Sequence, residues 1–83
     1  MEKFREAIII LFASYEIKYS LEKGRSKDKT EHFIFVQSFL QEFEENLESF
    51  AQKYFKDNNF SPEAMAEGKR YMEKIVEKLA SKV

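Results

Sequence analysis

FIFVQSFLQEFEENLESFAQKY, residues 33–54, is the stretch on which the fold turns. Phe33, Val36, Leu40, Phe43, Leu47, Phe50 and Tyr54 recur at alternating intervals of three and four. That is the a/d repeat of a helix burying one seam against other helices. Gln41, Glu45, Glu48 and Gln52 lie opposite, with Glu42 and Glu44 alongside, as a solvated acidic face. Ile34, Phe35 and Phe39 are apolar but stand off the seam. A single antiparallel neighbour leaves them wet, so the first half of this helix is expected to be contacted on two sides.

Outward from the seam, the helix has legible ends. Asp28 and Glu31 have capping-box spacing, with Thr30 a competing N-cap, so the start falls near residue 30. Asp57, Asn58 and Asn59 close the other end, giving a helix over about 30–56, since asparagine tolerates the left-handed conformation of a helix terminus. The next helix restarts at once. Ser61 is an N-cap, Pro62 occupies the first helical position and Phe60 can staple onto Met65. This third helix, about 62–82, carries Met65, Met72, Ile75, Val76, Leu79 and Val83. Gly68 interrupts its first half at about 1 kcal/mol relative to alanine, so either another backbone is expected to come close there or the helix to bend.

On the N-terminal side, residues 2–23 form the first helix. Phe4, Ile8, Leu11 and Tyr15 make one stripe, and Ala7, Ile10, Ser14, Ile17 and Leu21 a second beside it. The apolar arc is wider than one seam requires, so this helix is expected to touch more than one neighbour. Gly24 is placed to end it in the left-handed conformation. The run from Ala7 to Ala13 follows Lys3 and Arg5 as a signal-peptide core does. Glu2, Glu6 and Glu16 and the lack of a small-residue cleavage site argue against a targeting segment, and the run is far short of the roughly 20 residues of a membrane span. The expectation is a cytoplasmic protein that does not enter membranes.

Eighty-three residues with two glycines, one proline and abundant Lys, Glu, Leu, Ile and Phe are a helix-forming composition and one domain, residues 1–83. Short loops make successive helices antiparallel. The fold expected is all-α: an up-down-up three-helix bundle with a long central helix, pairing into a larger bundle as a dimer. The Lys and Glu richness suits a thermophile as well as any exposed helical surface. The absence of cysteine removes disulfides and thiolate chemistry. Fourteen basic against fifteen acidic residues leave no global field to attract nucleic acid or an anionic membrane.

Function is less legible than fold. No cofactor, metal site or small-molecule substrate is expected: the single histidine, His32, lacks the Glu-x-x-His spacing of a carboxylate-bridged site, and the serines lack a nucleophile-elbow context. Nine phenylalanines and four tyrosines exceed what a small core hides. Phe12, Ile34, Phe35 and Phe39 are therefore expected to form a protein–protein surface, most simply a homodimer, in a regulatory or interaction module without catalysis of its own. The alternative partner is RNA. Lys23, Arg25, Lys27, Lys29 and His32 gather beside the start of the second helix, whose free N–H groups favour anions, and Lys78 and Lys82 share that pole.

Arg25 and His32, separated by six residues, resemble the Arg-x4-6-His motif of the HEPN superfamily, small α-helical domains that include metal-independent ribonucleases. The resemblance implies that the two act as a catalytic pair on an RNA phosphodiester across a dimer. The chain departs from the family pattern in having Ser26 after the arginine and in placing the motif between the first two helices.

Overall fold

The computed structural model describes residues 1–25 and 28–83. Three helices account for nearly all of them: α1, Glu2–Glu22; α2, Lys29–Asp57; and α3, Pro62–Lys82. A 3-10 turn, Lys23–Arg25, continues α1. The bundle is 46 Å long and 18 × 17 Å across.

Aromatic contacts set the up-down-up order. Tyr15 near the end of α1 meets Phe39 and Phe43 in the first half of α2, with ring centroids 5.5 and 4.9 Å apart. Phe4 at the start of α1 meets Phe50, Tyr54 and Phe55 near the end of α2. Phe4 also lies against Gly68 near the start of α3, and Glu16 of α1 bonds Lys82 at the end of α3. So α1 and α3 run parallel, and α2 runs against both.

The core is Phe4, Ile8, Phe12 and Tyr15 of α1, Phe39, Phe43, Leu47, Ala51 and Phe55 of α2, and Ile75 and Leu79 of α3. On α2 the buried line therefore steps by four residues throughout, not alternately by three and four. Each such step rotates the line by roughly 40°, so it winds from the side facing α1, where Phe39 meets Tyr15 and Tyr19, toward α3, where Phe55 lies under Gly68. The seam read from the sequence is correct at Phe43 and Leu47 and diverges toward both ends.

Phe33, expected to open that seam, is 63% exposed. The reason is length. α2 has 29 residues and α3 has 21, and the short connection between them leaves the overhang, roughly 12 Å, at the start of α2. Among the described residues the end of α1 accompanies it there, through Tyr19 stacked on Phe35 at 5.9 Å.

The helix ends follow the local chemistry of their residues, with one exception. The Asp28 carboxylate accepts from the Glu31 N–H at 2.8 Å, which makes Asp28 and not Thr30 the N-cap of α2. Asn59 takes φ 51°, and the N–H groups of Phe60 and Asn59 donate to the carbonyls of Phe55 and Lys56 in a Schellman closure. The Phe55 and Phe60 rings, 5.0 Å apart, seal it. Ser61 Oγ accepts from the Ala64 N–H at 3.1 Å. The exception is Gly24. It has no positive φ; α1 passes through Lys23, itself right-handed, into the 3-10 turn, so the left-handed stop is not made there.

Gly68 is closely approached, but by aromatic side chains and not by the backbone its position suggested. A Cβ at this position meets Phe55 Cζ at 2.9 Å and Phe4 Cε2 at 3.2 Å. The missing side chain lets α3 lie directly on the Phe4–Phe55 pair.

Candidate interaction surface

Of the residues expected to meet a partner, Phe12 and Phe39 do not reach the surface. They are 6% and 3% exposed, inside the core of the single chain. Phe12 packs on Phe43, and Phe39 is enclosed by Tyr15, Tyr19 and Phe35. Standing off a heptad seam does not leave a residue wet when α1 lies on that side. Phe35 is half-buried on Tyr19, whereas Ile34 remains 58% exposed beside Phe33.

The larger apolar surface lies on α1. Its second stripe has no neighbour: Ile9, Ile10, Ile17 and Leu21 are 50, 67, 63 and 72% exposed, and Ala13, Ser14 and Ser20 among them are exposed too. Both α2 and α3 pack on the other side, over Phe4, Ile8, Phe12 and Tyr15. At roughly 100° per residue, Ile10 and Ile17 point almost opposite that buried stripe. As the width of the apolar arc implied, α1 touches more than one neighbour, α2 and α3, but both lie on the inner stripe, and among the described residues nothing covers the outer one.

This outward face is uncharged for a structural reason. Between Ala7 and Leu21 the only charged residues are Glu16 and Lys18, and each is turned toward another helix. Glu16 accepts from Lys82 Nζ at 2.6 Å. Lys18 Nζ donates to both oxygens of Glu42 at 3.0 and 3.2 Å. That hydrogen bond raises the Lys18 pKa above its ordinary 10.5, with lost hydration opposing it and the negative charges of Glu42 and Glu22 assisting. The Tyr15 hydroxyl donates to Glu42 at 3.4 Å and accepts from the Asn46 amide, so the α1–α2 edge is closed by a small polar network.

The basic pole is present but largely occupied. Lys23 Nζ lies 5.9 Å from the Tyr19 ring centroid, and Lys78 and Lys82 lie over Phe12 at 5.8 and 5.1 Å. At the N-terminus of α2, the natural anion site, the Asp28 carboxylate already accepts from the Glu31 N–H. Lys29 is exposed in the first turn of α2, and Lys27 lies outside the described residues. Arg25 is exposed in the 3-10 turn, whereas His32 is half-buried, its ring 6.5 Å from Tyr19 and 6.2 Å from Phe35. The arginine and histidine side chains make no hydrogen bond or ion pair with each other. Among the described residues no three His, Asp or Glu side chains converge as metal ligands do, and no helix is long and apolar enough to cross a membrane.

Set against known protein families, curated proteins and solved structures, the chain matches none. The surface itself is therefore the source of any functional reading.

Proposed function

We propose that this protein is a small helical interaction module, without catalysis of its own, that works as a homodimer joined through the outward face of α1. The uncharged apolar stripe Ile10, Ala13, Ile17 and Leu21 carries the reading. A helix apolar on both sides is one that is buried on both sides, and each isoleucine or leucine gains about 1.5–3 kcal/mol on full burial, of which the exposed fraction is still to be gained.

A second copy fits this stripe better than an unrelated partner does, because the stripe is close to self-complementary. Two α1 helices crossing antiparallel between Ala13 and Ser14 place each Ile10 on the partner's Ile17 and bring small residues together at the crossing. That arrangement is the isologous contact a two-fold dimer requires, and no charge meets its like. Light scattering after size exclusion tests it. The wild-type chain is expected at about twice 9.9 kDa at tens of micromolar, and Ile17→Glu at the monomer mass. A wild-type monomer at that concentration removes the proposal.

One observation favours a second reading, RNA bound at the basic pole. Lys29 and the exposed Phe33 lie one turn apart on α2, so a cation and a ring for base stacking share a face. That reading requires steeply salt-dependent RNA binding that is lost in Lys27→Glu/Lys29→Glu. Unchanged RNA mobility at low salt ends it.

A further inference from the structure

We propose that the groove between α2 and α3 is a docking site for an amphipathic α-helix of another protein, with basic residues flanking its apolar stripe. The three edges of the bundle are not alike. Among the described residues, Lys18–Glu42 ties α1 to α2, and Arg5–Glu67 and Lys82–Glu16 tie α1 to α3. No ion pair ties α2 to α3. Instead this edge holds an open groove of about 580 Å³.

Its walls explain what it takes. Leu47, Ala51 and Phe55 form the floor with the half-buried Met72 and Val76, and the small Ala51 deepens the middle. One lip is Glu44, Glu48 and Gln52 of α2, the other Lys69, Glu73 and Glu77 of α3. Because the helices are antiparallel, Glu44 and Glu48 face Glu77 and Glu73. Like charges thus stand opposite each other on two successive turns, and none of the four carboxylates is in an ion pair among the described residues. Among the described residues no cation is paired with any of them, and the Gln52 amide donates to Glu48 at 3.5 Å.

A helix with leucine-like residues at i, i+3 and i+7 and lysine or arginine on both shoulders supplies the complement: apolar atoms for Met72 and Val76, and cations between the carboxylate pairs. The lips also set its direction. Lys69 and Gln52 end the acidic run, so the helix's negative C-terminal end lies there and its positive N-terminal end lies between Glu44 and Glu77. The bound helix therefore runs parallel to α2 and completes a four-helix arrangement.

The probe is a fluorescent 15-residue helical peptide with leucine at its a and d positions and lysine at e and g. A twin carrying glutamate in place of lysine is the control. Anisotropy and amide chemical-shift mapping are read in the Ile17→Glu background, so that the proposed dimer does not enter. The lysine peptide is expected to bind at least tenfold tighter than its twin, to weaken with salt, and to shift resonances around Ala51, Met72 and Val76. Glu48→Lys/Glu73→Lys weakens it at least tenfold. Glu48→Gln/Glu73→Gln, which removes the charge while keeping the shape, weakens it several-fold. Glu45→Lys, on the outward side of α2, changes it less than twofold. Equal binding of the two peptides, equal loss with Glu45→Lys, or shifts centred on α1 overturns the proposal.

Discussion

Gly68→Ala sets two effects of similar size against each other. In a solvated helix the change stabilises by about 1 kcal/mol, because alanine restricts the unfolded chain and favours the helix. Here the new methyl falls 2.9 Å from Phe55 Cζ and 3.2 Å from Phe4 Cε2, well inside contact distance. Moving aside is costly for Phe55. Its ring lies between Phe4 at 5.3 Å and Phe60 at 5.0 Å, and Phe60 is pinned by its N–H to the Phe55 carbonyl. Overpacking of this kind costs about 1–3 kcal/mol. The expected net is a loss of roughly 1 kcal/mol, or a fall in Tm of about 4–8 °C for a domain of this size. Urea denaturation of wild type and Gly68→Ala, repeated in a Phe55→Leu background, separates the two effects. With that ring gone the closest clash goes and Phe4, at 3.2 Å, gains room to move aside, so Gly68→Ala is expected to stabilise by about 0.5–1 kcal/mol. Equal stabilisation in both backgrounds refutes the reasoning.

Other substitutions test the remaining joints. Gly24→Ala is expected to raise stability by about 0.4–1 kcal/mol in urea melts, because Gly24 has right-handed geometry with open space where the Cβ goes. Ser61→Ala removes the oxygen that accepts from the Ala64 N–H and is expected to cost about 1 kcal/mol by the same assay. Lys18 has its pKa raised in the fold, so its contribution is fully present below the ordinary lysine value of 10.5 and is lost as pH rises through the folded value. Thermal melts from pH 9 to 12 are therefore expected to fall less steeply for Lys18→Met than for wild type.

Helix boundaries and antiparallel order were legible because they depend on local chemistry: Asp28 with Glu31, Asn59, and Ser61 with Pro62 each act within a few residues. The buried line of α2 was not. A heptad assumes one straight partner, whereas α2 has α1 beside it from Phe39 to Phe55 and α3 beside its later part as well. The line through Phe39, Phe43, Leu47, Ala51 and Phe55 therefore winds around the helix. That same winding took Phe39 into the core, whereas Phe12 of α1 is buried against Phe43 and the overhang of α2 leaves Phe33 exposed. Gly24 misled for a different reason: glycine permits the left-handed stop without requiring it, and Lys23 carries α1 onward. The apolar face of α1 was visible as a second stripe, but whether another helix of the same chain covers a stripe is decided by packing. The α2–α3 groove depends on which lysines reach which glutamates across helices, a matter of side-chain reach that spacing alone does not encode.

The proposal that two copies join through α1 has a direct geometric test, because the chain contains no cysteine. Antiparallel crossing between Ala13 and Ser14 brings the two Ser14 positions within the roughly 7 Å between Cα atoms that a disulfide spans. Under mild oxidation Ser14→Cys is expected to form a covalent dimer rapidly and almost completely. Ser49→Cys, exposed on α2, is expected to stay largely monomeric. Cross-linking of Ser14→Cys no faster than that of Ser49→Cys would contradict the account.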